Sequence, residues 1–149
     1  MPKLKNYKNT GVYLRTLYDS LVKNLHQKLD AEGFQEISPS HGLVFQYLEE
    51  EGSRITTLAA HAGMTKQSMS ALVYQLEEFG YLKRKADADD AREVLFILTA
   101  KGQGLKTRAQ QLNYEFEQKW EEILGKAQYS KFREMITKLV DANPPQNHI

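Results

Sequence analysis

A mainly α-helical fold with one small β-hairpin is predicted for this chain, and three observations predict it. Apolar residues recur at spacings of three and four along most of the 149 residues. That rhythm breaks once, at two short β-leaning runs flanking the polar stretch 86–91. Gly33, Gly52, Gly63 and Gly80 punctuate the periodic segments, as helix stops do.

Each element follows in order. Over residues 11–30, Val12, Leu14 or Arg15, Leu17, Leu21, Leu25 and Leu29 recur at helical spacing, and Gly33 is placed as the stop. Ser38 or Ser40 caps a second helix, with Pro39 near its first turn. Leu43, Val44, Tyr47 and Leu48 form its stripe, and Gly52 ends it. Ile55 reads as a short strand residue. A short helix starts at Thr56 or Thr57 and carries Leu58, Ala59 and Ala62 before Gly63. Thr65 caps the next helix, 65–79, whose Met69, Leu72, Val73, Leu76 and Phe79 share a face; Gly80 closes it. Tyr81–Lys85 and Glu93–Leu98 are the hairpin strands. Thr99 caps a long helix from Lys101 to about Leu124, with Leu105, Leu112, Phe116, Trp120, Ile123 and Leu124 on its apolar side. Gly125 interrupts the pattern, and residues 129–140 make a last helix bearing Phe132, Met135, Ile136, Leu139 and Val140. Residues 143–146 read as a frayed tail. Two short helices joined by a glycine turn, then a hairpin, are a winged helix-turn-helix arrangement.

Composition narrows the function. Apolar residues are 41% of the chain and charged residues 26%, which excludes a disordered or collagen-like polymer. A single domain of 17.1 kDa is long enough for a real core. With no cysteine, disulfide scaffolds, zinc ribbons and thiol chemistry are excluded. No run of 18 apolar residues occurs, and the basic start, Met1–Thr10, lacks the apolar segment of a secretory leader. A cytoplasmic protein is expected. His26, His41, His61 and His148 are scattered, and no metalloprotease, P-loop, dinucleotide or nucleophile-elbow motif is present. Asp87, Asp89 and Asp90 look superficially calcium-like but lack the loop glycine and closing glutamate. No enzyme activity, cofactor or metal is expected.

Charge is unevenly placed. The net charge is +1, but residues 1–51 carry −1, residues 52–108 carry +3 and residues 109–149 carry −1. The basic middle suits either a solvated face or an electrostatic footprint for DNA, which a dimer would duplicate.

Specific motifs sharpen this. Thr57-Leu58-Ala59, the run Gly63 to Ser70, Leu72-Val73, Leu76-Glu77 and Gly80-Tyr81-Leu82-Lys83-Arg84 resemble the helix-turn-helix core of the multiple antibiotic resistance regulators, the MarR family. Asp87, Asp90 and Arg92 match that family's wing pattern D-x-x-D-x-R, and Leu98-Thr99-Ala100-Lys101-Gly102 matches the signature that follows it. Ile37-Ser38 fits the family's entry into the second helix. The resemblance implies a homodimer on a pseudopalindromic operator in double-stranded DNA, acting as a transcriptional regulator, commonly a repressor. It implies one chain in two parts: a DNA-binding lobe at 37–102, and dimerisation helices at 1–36 and 103–149. It also implies release by a small aromatic or phenolic effector. The family's cysteine-oxidation route is excluded here by composition.

Roles follow residue by residue. The predicted helix 65–79 turns Lys66, Gln67, Ser70, Ala71 and Tyr74 away from its apolar face, and the start of such a helix reaches base edges in the major groove. Gln67 suits adenine, Lys66 guanine or the backbone, and Ser70 either. The amides near Thr65 suit a phosphate. Where the family often has arginine this chain has Ala71, which suits a thymine methyl. The resemblance makes Arg92 the wing arginine of the minor groove, with Asp90 orienting it; Ala88 stands where proline is frequent. Lys83, Arg84, Lys85 and Arg54 are candidate phosphate contacts. Tyr13, Leu17, His41, Phe45 and Tyr47, with Leu105 or Arg108, are candidate effector contacts. Leu14, Leu17, Leu21, Phe116, Trp120, Ile123, Phe132, Ile136 and Leu139 are candidate dimer contacts. Ala71 and the acidic loop tip motivate an alternative: a winged-helix protein-interaction module with weakened DNA binding.

Overall fold

Folding divides the apolar residues into two populations. Those from the middle of the chain are buried, while many near its ends are exposed. The computed structural model describes Leu4 and residues 6–144. Lys3, Lys5, His148 and the end of the expected frayed tail, residues 145 and 146, lie outside the described residues. The elements are α1 (Thr10–Ala31), α2 (His41–Tyr47), α3 (Ile55–Ala62), α4 (Lys66–Glu78), β1 (Leu82–Ala86), β2 (Val94–Leu98), α5 (Ala100–Leu124) and α6 (Lys126–Ala142). The strands pair antiparallel, with Leu82 opposite Leu98 and Ala86 opposite Val94. The mainly helical fold with a single hairpin forms as predicted.

Local chemistry explains where the boundaries moved. The Asn9 side chain caps α1 by accepting from the Val12 amide, a start the apolar pattern did not mark. Helix α2 stops at Tyr47, well before Gly52, because Leu48 turns into extended backbone. Gly52 instead has φ +108°, and a Cβ there would press on Ile97 and Leu95 at 2.9 and 3.0 Å. The chain therefore passes tightly over β2, and Ser53, not Ile55, makes the bridge to Phe96. Ile55 opens α3. The hairpin is displaced by one residue from expectation, since Tyr81 is core and strand pairing begins at Leu82. Helix α6 starts directly after Gly125.

The core lies in the lobe. Val44, Leu58, Met69, Val73, Leu76 and Tyr81 are fully buried, and α1 and α5 add Leu29, Leu105 and Leu112. Each such aliphatic side chain contributes about 1.5–3 kcal/mol over an exposed one. By contrast, Tyr129 is the buried side chain of α6.

One junction sets the angle between α4 and α5. After α4, Gly80 takes φ +86° and the Tyr81 amide bonds back to the Leu76 carbonyl. The Thr99 hydroxyl accepts from the Gly102 amide and donates to the Gly80 carbonyl at 2.6 Å. The Thr99 amide bonds the Tyr81 carbonyl at 3.0 Å. Any Cβ on Gly102 would overlap that same carbonyl oxygen. This accounts physically for the Leu98-Thr99-Ala100-Lys101-Gly102 signature. Gly102→Ala should therefore cost about 1–3 kcal/mol through forced displacement of the backbone, read as a lower denaturation midpoint; an unchanged midpoint would show that the junction has slack.

Candidate nucleic-acid interface

The helix-turn-helix is built from α3 and α4. Gly63 takes a left-handed conformation, φ +65°, ending α3, and the Met64 amide bonds to the Ala59 carbonyl. Thr65 then caps α4, its hydroxyl accepting from the Ser68 amide at 3.1 Å. The first N–H groups of α4, at Lys66 and Gln67, have no intrahelical acceptor, so the helix start is electropositive. Met69, Val73 and Leu76 are wholly buried, which fixes the rotation of α4. Lys66, Gln67, Ala71 and Tyr74 are exposed, while Ser70 is half-buried at the flank. Thr65 is thus occupied as a cap, and its hydroxyl also donates to Ser68.

The wing departs from expectation in its acids. Asp90 does not grip the Arg92 guanidinium; its carboxylate accepts from the Arg92 backbone amide at 3.0 Å. Asp87 likewise accepts from the Asp89 amide at 2.9 Å. These are turn-forming Asx bonds. Asp87 also holds Arg54, whose Nε and Nη2 reach the same carboxylate oxygen at 2.9 and 2.6 Å. Arg54 is therefore a strut under the wing and not a free phosphate contact. The Asp89 amide and then Arg54 lower the Asp87 carboxyl below the usual aspartate range. Among the described residues neither Lys66 nor Arg92 has a carboxylate partner. Both border one cleft of about 190 Å³ between the start of α4 and the wing.

Arg84 and its neighbours separate. In register, Arg84 stands opposite Phe96, while Lys83 and Lys85 stand opposite Ile97 and Leu95, on the other face of the hairpin. Lys83 and Lys85 are exposed. The Arg84 guanidinium, expected as a phosphate contact, is bound by Glu77 at 2.8 and 3.1 Å.

A second site lies behind the lobe. A cavity of about 320 Å³ sits among α1, α2 and α5. Leu25, Leu29, Ile37, Phe45, Leu105 and Ala109 make its apolar wall, and His26, Gln46 and Asn113 are among its polar groups. Of the expected effector residues, Phe45 and Leu105 line it. His41 does not: it is buried, its Nδ1 accepts from the Ser38 amide at 2.9 Å, and its Nε2–H donates to Gln75 at 2.8 Å. It ties α2 to α4. Tyr47 packs on His61 with ring centres 5.9 Å apart. Arg108 is held by Glu32. Tyr13 and Leu17 lie on the exposed part of α1, outside the cavity lining. Sequence reasoning missed His26 and Asn113. His26 Nδ1–H donates to the Ile37 carbonyl at 3.2 Å, which leaves Nε2 as an acceptor. Asn113 Oδ1 is buried without a partner.

A glycine-turned helix pair, a buried-stripe second helix and a hairpin rooted on it define a winged helix-turn-helix protein. The model of the MarR family matches residues 35–93. The HTH-type transcriptional repressor Rv2887 of Mycobacterium tuberculosis is 30% identical over 91 residues, covering 61% of this chain and 66% of the repressor. The crystal structure of Rv2887 with salicylic acid is 25% identical, covers 91% of this chain and 99% of that one, and has a TM-score of 0.69. The transcriptional regulator Tm0710 of Thermotoga maritima is 26% identical with a TM-score of 0.63, covering 89% and 92%. S. aureus MepR, in a complex with DNA, is alike in fold at 21% identity and a TM-score of 0.69, covering 91% and 99%. This chain belongs to the MarR family, whose members are transcription factors and not enzymes. No helix among the described residues is long and apolar enough to cross a membrane.

The wing's order rests on Asp87 being ionised. A carboxyl with a lowered folded-state pKa contributes stability above its unfolded pKa and loses it as pH falls through the folded value. Asp87→Asn should therefore lower amide protection at residues 87–93 at neutral pH and remove the acid dependence of that protection. Exchange equal to the parent's would refute the strut.

Proposed function

We propose that this chain is a cytoplasmic repressor, a homodimer that binds a pseudopalindromic operator through α4 and the wing and releases it when a small aromatic compound enters the cavity. One observation carries the reading. Lys66 and Arg92, from two separate elements and neither in an ion pair, border one cleft beside the exposed start of α4, with Arg54, Arg84 and Glu93 also in its lining. A recognition helix in the major groove and an arginine in the adjacent minor groove need that juxtaposition. Gln67 and Tyr74 then face base edges, Ala71 meets a thymine methyl, and Lys83 supplies a phosphate contact from the outer hairpin face. Arg54 offsets the charge of Asp87, one of the acids that motivated a DNA-free interaction module.

The terminal helices support the dimer. Leu14, Leu17, Ile123 and Leu139 are 46, 37, 79 and 61% exposed, too much apolar surface for an isolated chain. Leu21, Phe116, Trp120, Phe132 and Ile136 are half-buried along the same helices. Residues 1–36 and 103–149 serve as the dimerisation region, and residues 37–102 as the reading lobe. Closure by a second copy covers these faces and brings Tyr13 and Leu17 nearer the effector site. Rv2887's complex with salicylic acid supports an aromatic effector.

Fluorescence anisotropy on duplexes from around its own gene, at two salt concentrations with a shuffled control, tests the whole reading. Gln67→Ala should cost about 1–3 kcal/mol on the operator alone. Arg92→Ala should also weaken binding, and parent-like affinity in both variants would refute these assignments. With salicylate as the probe, Asn113→Leu should raise the concentration that releases DNA about three- to tenfold, the value of one lost hydrogen bond. Unchanged release would place the effector elsewhere.

A further inference from the structure

Arg84 reaches across the boundary between the recognition helix and the wing. Its Nε donates to one oxygen of Glu77 and its Nη2 to the other, at 2.8 and 3.1 Å. The same guanidinium lies over the rings of Tyr74 and Phe96, 5.5 and 5.4 Å from their centres. Those two rings meet at 6.3 Å. Tyr74 and Glu77 are three residues apart on α4, hence neighbours on one face. Phe96 is the residue opposite Arg84 in the hairpin and is buried. One planar cation therefore grips a full turn of α4 on one side and both strands on the other.

We propose that Arg84 is a positioning residue for DNA reading: it sets the angle between the recognition helix and the wing and does not itself bind phosphate. Its charge is already offset by a carboxylate held in a two-point geometry that favours arginine over lysine. A phosphate brought to it would also meet Glu77. What the clamp fixes is the span between Lys66 at the start of α4 and Arg92 in the wing loop, and the orientation of the half-exposed Tyr74 ring. Loss of the clamp would leave both parts folded but free to tilt, so correct sites would lose more than incorrect ones.

The inference rests on the proposed reading of an operator, and the test separates the two. An operator is recovered by selecting bound duplexes from a random library, and affinity is measured on it and on a shuffled duplex across a salt series. The variant pair E77Q with R84M removes the clamp without changing net charge. It should lower the operator-to-shuffled affinity ratio about tenfold, within the range expected for a broken side-chain network, with the salt slope unchanged. R84K keeps the charge but offers no planar fork, and should lose discrimination in the same way. A thermal melt confirms that each variant is folded at the temperature used. Equal losses on both duplexes with a slope smaller by about one would make Arg84 a phosphate contact and overturn the proposal. So would a parent-like ratio in either variant. A parent protein that does not prefer the selected duplex would defeat the operator reading itself, and this inference with it.

Discussion

The approach of α5 to the end of α4 governs the rest of the molecule. Tyr81 anchors its ring in the core, and its carbonyl receives the Thr99 amide. The Thr99 hydroxyl closes both the last turn after α4 and the first turn of α5. Lys101 reinforces the seam, donating to the Phe79 carbonyl at 2.6 Å while its ammonium lies 4.4 Å from the Tyr81 ring centre. The Tyr81 hydroxyl donates to Glu36, so the segment before α2 is drawn into the same place. That bond holds the Glu36 carboxyl below the usual glutamate range, while burial and Glu36 push the tyrosine up. Each net hydrogen bond contributes only about 1 kcal/mol. Their geometry matters more, because it removes the freedom of the recognition helix to slide or roll.

Around that anchor, ion pairing sorts the basic residues by task. Arg54 and Arg84 are spent on Asp87 and Glu77, and both serve as internal supports for the hairpin. Among the described residues Lys66, Lys83 and Arg92 are left without a carboxylate partner. A chain of net charge +1 can thus keep particular cations unpaired, because its acids are placed to select which ones stay available. Composition alone could not convey this, since pairing depends on which residues the turn at 87–90 brings inward.

Much of the fold was legible because it rests on local rules. The stripe Met69, Val73, Leu76 and the caps Thr65 and Thr99 each involve residues within a few positions of one another. The end of α2 and the role of Ile55 were misread, because Gly52 and Ser53 answer to β2, more than forty residues away in sequence. Lys66, Gln67 and Tyr74 came out exposed as expected, because amphipathic spacing fixes both faces of a helix at once. The pairings of Arg54, Arg84 and His41 were not legible, for the opposite reason. Their partners Asp87, Glu77 and Gln75 come from other elements, and a polar side chain carries no mark of whether it faces water or a tertiary partner. The cavity was half legible. Phe45 and Leu105 follow from helical faces, whereas Asn113 became notable only once its oxygen was seen to lack a partner.

The length of α5 has a mechanical meaning. It runs 25 residues, about 37 Å, from a root beside the recognition helix to a far end bearing the exposed Ile123 and Leu124. With Gly102 as a fulcrum, a rotation of about 5° at the root sweeps that far end through about 3 Å. Read in reverse, the helix is a reduction gear. An ångström of play at the distal end becomes under two degrees at the root, so imprecise packing far from the lobe still yields a finely held recognition helix.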